Sequence, residues 1–189
     1  MNLEKYQQYS RIARGLEKAD LVLKDARIVN VFTEEIIRGD IAIQDGIIAG
    51  IGSFHGKEER DLAGRYVCPG FIDSHLHLES TLVTPAELVT AASRHGTTTF
   101  IVDPHESANV SGLAGIDYIL DQTEDVKANV YVMMPSCVPA TAIDDNGCTL
   151  TAEDMVPYLH NSRILGLGEV MDSISVVQGE KSMHDKLEL

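Results

Sequence analysis

Positive charge is scarce in this chain. Its 189 residues carry 15 Lys and Arg against 29 Asp and Glu, a formal net charge of −14 with a pI near 4.7. No segment gathers Lys or Arg into a cluster, so a nucleic-acid backbone or an anionic membrane surface would be repelled rather than bound. Long apolar runs are missing as well. Nothing approaches the roughly 18 apolar residues of a membrane span. The stretch from Met1 to Asp20, with Lys5, Arg11, Arg14, Glu17 and Lys18, holds no apolar run of signal-peptide length. A soluble, cytoplasmic protein is the expectation. Cysteine is sparse: Cys68, Cys137 and Cys148 are odd in number and lack C-x-x-C spacing, which argues against a disulfide framework and a cysteine zinc site and leaves three reduced thiols. With 44% hydrophobic and 23% charged residues the composition is globular, and the expected partner is a small molecule.

Three rhythms follow one another along the chain. Asn2 to Lys18 is polar and helix-prone, weakly amphipathic through Tyr6, Ile12 and Leu16. From Asp20 short β-branched runs take over (21–23, 27–32, 40–43 and 46–51), separated by turn residues at Lys24-Asp25, Arg38-Gly39 and Asp45-Gly46. They predict a small antiparallel β unit. After Pro69-Gly70, strands alternate with helices of about ten residues. Thr84-Pro85-Ala86-Glu87 opens the first helix as a capping box with proline at the first helical position, and His95-Gly96 closes it. Thr97 to Asp103 is a strand, and Val110, Leu113, Ile116 and Leu120 place one face of a second helix. Ala128 to Met134 is the next strand, Thr151 with Asp154 caps a third helix over 152–159, and Ile164 to Val170 is a fourth strand. The tail from Asp172 to Leu189 is polar, broken at Gly179-Glu180, and begins a fourth helix. Strand–helix units in series predict an α/β fold with a parallel sheet and right-handed crossovers.

The chemistry collects where such a sheet puts it, at the C-terminal ends of the strands. In the run Val67 to Ser80 an apolar strand ends in His75-Leu76-His77. Residues i and i+2 share a face of a strand, so the two imidazoles point together into one space, the geometry a metal ion needs. Glu79 follows; Asp103 and His105 end the second strand, Ser136 and Cys137 the third, and Glu169 the fourth. Glu169, closing an apolar strand, would be costly to bury unpaired, which points to a ligand role. His105 follows a proline and could merely cap the second helix or face solvent, but its strand-end position favours a place in the site. Ser136 and Cys137 lack an evident partner base and are read as pocket lining. His95 and His160 fall near helix ends and are structural. His55 and His184 are solvated, and Met133, Met134, Met155 and Met171 fill the core.

Pro69-Gly70-Phe71-Ile72-Asp73-Ser74-His75-Leu76-His77 resembles the first-strand signature of the amidohydrolase superfamily. His77-Leu78-Glu79-Ser80, Val102-Asp103-Pro104-His105-Glu106 and Gly166-Leu167-Gly168-Glu169-Val170-Met171 narrow the resemblance, which covers about residues 20–172. Behind the helical lead-in over 1–19, it implies a small β-sandwich segment over 20–67 and the first half of a (β/α)8 TIM-type barrel over 68–189. It further implies hydrolytic deamination of adenine to hypoxanthine and ammonia in purine salvage, over a binuclear site of Mn2+ or Fe2+. His75 and His77 would bind the more buried metal and Glu169 would bridge the pair; Glu79, Asp103 and His105 would lie near the metals or the purine. A negatively charged bridge with neutral imidazoles suits those ions.

The same resemblance implies parts without counterparts here: further histidines from the fifth and sixth strands, and a general-base aspartate from the eighth. A closed barrel needs about 250 residues, so the chain is read as the N-terminal portion of a longer enzyme, inactive by itself and a homo-oligomer when full length. Another amidohydrolase reaction, on a cyclic amide or an N-acetyl sugar, is the runner-up. A non-catalytic metal-binding fragment is the alternative of a different class. The small zinc deaminases are disfavoured because His77-Leu78-Glu79 has no P-C-x-x-C to complete it.

Overall fold

A computed structural model of the chain describes residues 2–141 and 143–189. Chain contacts divide it after Pro69 into two compact units.

The first unit is a sheet with a helix. Helix α1 (Leu3–Ala13) starts at Asn2, whose side chain accepts the Lys5 N–H, and buries Ile12 completely, while Tyr6 and Leu16 stay exposed. The amphipathic stripe is therefore shorter than the sequence suggested. Strands β1 (Ala19–Asn30), β2 (Glu35–Gln44), β3 (Ile47–Gly52), β4 (Gly56–Asp61) and β5 (Tyr66–Val67) form one sheet in the order β3-β2-β1-β4, with β5 also on β1. β1–β2 and β2–β3 are antiparallel, but β4 and β5 run parallel to β1, so the sheet is mixed rather than antiparallel. Only one of the three expected turns is a turn. Asp45-Gly46, both at positive φ, makes the two-residue hairpin between β2 and β3. Lys24-Asp25 is instead a bulge inside a continuous β1, where the register slips between Leu23 and Ala26 and Asp25 takes φ 50°. Arg38-Gly39 lies within β2. Ile12, Ala19, Val22, Ala42 and Phe54 form one apolar cluster and Ala26, Ile28 and Ile41 another.

The second unit is a four-stranded parallel sheet in the order β6-β7-β8-β9: β6 (Phe71–Leu76), β7 (Thr97–Val102), β8 (Asn129–Met134) and β9 (Ile164–Leu167). The connections carry α2 (Pro85–Ser93), α3 (His105–Ser111), α4 (Leu113–Gln122) and α5 (Ala152–Met155), and α6 (Ser173–Gln178) and α7 (Lys181–Glu188) follow β9. Thr84 caps α2 by accepting the Glu87 N–H, and Thr151 with Asp154 makes a full capping box on α5. The second helix is two helices. Gly112, at φ 61° and ψ −139°, interrupts it, and Gly115 lets α4 close on α3, since a Cβ there would sit 2.3 Å from the Ser107 carbonyl oxygen. The break turns Val110 to solvent, whereas Ile116 and Leu120 keep their places in the core. The third helix is likewise a single α turn finished by a 3-10 turn at Val156–Tyr158. Leu78, Val89, Phe100, Val102, Ile116, Ile119, Val130 and Val132 build the core, each such side chain contributing about 1.5–3 kcal/mol when fully buried. Met134 and Met155 are in it, but Met171 is exposed. Phe71, Ile72 and Leu165 of the sheet are also exposed.

The three cysteines are free, and no helix among the described residues is long and apolar enough to cross a membrane.

The first unit turns on Asp40, which is 8% exposed. Burial opposes its charge, but Lys24 Nζ at 2.5 Å and the backbone N–H groups of Asp25 and Phe54 outweigh that and hold the carboxyl below its ordinary value of 3.8. A depressed folded-state pKa means that this stabilisation is complete above the unfolded value and is lost as pH falls through the folded one. Asp40→Asn should therefore cost on the order of 2 kcal/mol at neutral pH. In urea melts of the two proteins the gap should narrow below pH 4; a gap that is constant with pH would remove Asp40 ionisation from the account.

Candidate metal centre

The parallel sheet delivers the polar residues to one end. His75 is the penultimate residue of β6 and His77 follows the strand. Their rings meet edge-on with centroids 4.8 Å apart, as the two-residue spacing requires. Asp103 follows β7, its N–H donating to the Leu76 carbonyl at 3.0 Å, and His105 opens α3. Its ring lies 4.6 Å from that of His77. Glu169 stands two residues past β9, where the Gly168 N–H donates to the Met134 carbonyl at 2.6 Å.

Glu169 is the meeting point. Its Oε2 lies 3.5 Å from His75 Nε2, and its Oε1 lies 3.7 Å from His77 Nε2 and 3.6 Å from His105 Nδ1. Two sets of possible ligands result, His75/His77/Glu169 and Asp103/His105/Glu169, and within each the ligand atoms lie within 4.8 Å of one another. The carboxylate is shared. Its side chain is 38% exposed, so the argument from costly burial does not hold; backbone contacts place it instead. The Glu169 N–H donates to Asp103 Oδ2 at 2.8 Å, and the Ser136 hydroxyl donates to the Glu169 carbonyl.

The hydrogen bonds leave the centre short of positive charge. His77 Nδ1–H donates to the Asp103 carbonyl at 2.7 Å, which fixes the tautomer and leaves Nε2 as an acceptor aimed at an acceptor oxygen of Glu169. Asp103 is 1% exposed. Burial pushes its carboxyl above the ordinary range, against the pull of the Glu169 N–H, and the Glu169 charge adds to the rise. Asp103 Oδ1 and His105 Nδ1 are buried, 3.7 Å apart, and neither makes a hydrogen bond. Buried polar atoms without partners call for an explanation, and a cation between facing acceptors supplies one. The residues fit a divalent metal.

Of the residues singled out by sequence, His75, His77, Asp103, His105 and Glu169 come together and Glu79 stands one step behind. Glu79 Oε1 accepts the N–H groups of Glu106 and Ser107 at 3.2 Å each, tying down the first turn of α3 beside His105. Burial raises its pKa, and the nearby Glu106 charge adds to that. Ser136 and Cys137 are both buried; Cys137 lines a cavity of about 400 Å³ with His105, Glu106, Asn109, Ala140 and Asp144. Sequence reading gave Gly168 no part. A Cβ at Gly168 would stand 2.2 Å from Asp103 Oδ2, and the signal for it was the Gly-x-Gly-Glu run itself.

A sequence model of the amidohydrolase family matches residues 66–187; the chain belongs to that family. Among curated relatives it is similar to the adenine deaminase of Desulfitobacterium hafniense, 57% identical over all of this chain and 33% of that one. The adenine deaminases of Geobacillus kaustophilus and Clostridium acetobutylicum are 49% and 50% identical, over 91% and 94% of this chain and 30% and 31% of theirs. This chain thus spans about a third of the length of these relatives. A solved N-acyl-D-glutamate deacylase from Bordetella bronchiseptica superposes on 62% of the chain and 30% of its own length, with TM-score 0.48 and 23% identity.

Gly168→Ala should lower stability by about 1–3 kcal/mol through the clash with Asp103. In the Asp103→Ala background the same change should cost little, because the obstructing carboxylate is gone. Equal costs in both backgrounds, measured by urea unfolding, would show that the close approach does not constrain the site.

Proposed function

We propose that this centre belongs to a metal-dependent hydrolase that converts adenine and water to hypoxanthine and ammonia, in a cytoplasmic purine-salvage role. The observation that carries the reading is the Glu169 carboxylate, within 3.5–3.7 Å of His75, His77 and His105 at once, a bridging position between two ligand sets. The names of the relatives supply the substrate, since each is called an adenine deaminase. In the same reading β6 to β9 and their helices are the first four units of a (β/α)8 barrel, with β1 to β5 part of a small β-sandwich.

His75 and His77 would hold one ion and Asp103 and His105 the other, with Glu169 between them; Mn2+ or Fe2+ suits this donor set of imidazoles and carboxylates. When bound, a divalent metal there would supply activation of water near neutral pH and stabilisation of developing negative charge. The chain's own residues do the rest. The Asp103 carbonyl accepts the His77 Nδ1–H, holding the proton on Nδ1 and leaving Nε2 free for the ion. Asp103 Oδ2 and Ser136 fix the Glu169 backbone. Glu79 anchors the turn that presents His105, and the cavity beside His105 and Glu106 is the place for the purine. Water adds at the ring carbon bearing the exocyclic amine, and ammonia leaves from it.

Ammonia release from adenine, measured on the protein carried to its natural stop with Mn2+ or Fe2+ supplied, should be lost on chelation and abolished by His75→Ala. Hydrolysis of a cyclic amide or an N-acetyl sugar in place of adenine would keep the centre and change the substrate. Metal binding without turnover of any of these would make it a binding module. Glu79→Ala should lower kcat/KM for adenine by about 10–100-fold through His105; activity equal to the parent would separate Glu79 from the site.

A further inference from the structure

Lys186 is a charged side chain where charge is costly. It lies on α7 with 9% of its surface exposed, and burial pushes its ammonium below the ordinary lysine value. A methionine would match its stem without that desolvation cost. What the ammonium adds is directional: Nζ donates to the Ser136 carbonyl at 2.8 Å.

Ser136 is where the bond acquires a use. The residue is 1% exposed and sits in the loop after β8, and its hydroxyl donates to the Glu169 carbonyl. The next residue makes a second tie, since Cys137 Sγ accepts the Asp172 N–H at 3.3 Å. The loop after β8 thus grips the loop after β9 twice, at Glu169 itself and three residues further on at Asp172. A cavity of about 420 Å³, lined by Ser136, Cys137, Thr151, Asp172, Ser175 and Lys186, opens beside this grip. Lys186 lines it together with Ser136, its ammonium on the Ser136 carbonyl.

We propose that Lys186 is a positioning residue for Glu169, acting through Ser136: by holding the Ser136 peptide it keeps the Ser136 hydroxyl on the Glu169 carbonyl and sets the carboxylate between the two ligand sets. The inference rests on the metal reading of the site given above. Among the described residues Lys186 makes no hydrogen bond or ion pair to a proposed ligand, and no sequence motif marks it.

The test is Mn2+ affinity of the full-length protein, followed by the EPR signal of free Mn2+, for Lys186→Met, Ser136→Ala and the double variant. Met183→Ala serves as control, removing buried packing from the same helix while leaving the ammonium. Each single change should weaken Mn2+ binding by about 10–100-fold, and the double should be no weaker than the more affected single, because both break one chain of contacts. Met183→Ala should lower the thermal midpoint and leave Mn2+ affinity unchanged. Mn2+ binding by Lys186→Met equal to the parent, or additive losses in the double, would overturn the proposal. If Lys186→Met does not fold, unchanged binding by Ser136→Ala overturns it equally. A parent protein that binds no Mn2+ would overturn the metal reading and this inference with it, whereas parent binding that Lys186→Met and Ser136→Ala preserve strikes this inference alone.

Discussion

The contact on which the rest of the site depends is the hydrogen bond from the Glu169 N–H to Asp103 Oδ2 at 2.8 Å. It joins the ends of β7 and β9, which are not neighbours in the sheet, with β8 between them. Gly168 is the condition for it, because any side chain there would collide with the carboxylate. Once Asp103 is fixed, its carbonyl accepts the His77 Nδ1–H hydrogen bond, and its carboxylate Oδ1 is left beside His105 without a donor. One aspartate, almost wholly buried, thus sets the tautomer of one histidine, holds the backbone of Glu169 and is one of the three side chains of the second candidate ligand set.

The electrostatics point the same way. A chain of net charge −14 places two carboxylates and three imidazoles within a few ångströms of each other at the end of its parallel sheet, and no Lys or Arg pairs with those carboxylates among the described ion pairs. Burial and mutual repulsion both raise the Asp103 pKa. Such an arrangement costs free energy without a cation. The cost is met elsewhere, by the apolar core packed between the sheet and its helices, which holds the strand ends at fixed spacing and so makes the repulsion something an ion can relieve.

What the sequence disclosed followed from periodicity and punctuation. The period of two in β6 put His75 and His77 together, Asp45-Gly46 declared its hairpin, and Thr151 with Asp154 declared its cap. What it hid was set by distant contacts. Lys24-Asp25 has the composition of a turn but becomes a bulge, because Asp40 on the neighbouring strand binds both the Lys24 ammonium and the Asp25 N–H. The strand Gly56–Asp61 is almost wholly charged and shows no alternation, yet β1 pairs with it in register. Helices α3 and α4 share one apolar pattern that Gly112 breaks. Ser136 was marked only by its place at a strand end, and Lys186 carries no local signal, since what joins them is a bond between a helix after β9 and a loop after β8.

The central claim is that Glu169 stands between two metal ions. Titrating the full-length protein with Mn2+ and recording the EPR spectrum tests it directly. Two ions per chain with the spectrum of an exchange-coupled pair is the result the account predicts; a single ion per chain with an uncoupled spectrum would contradict it.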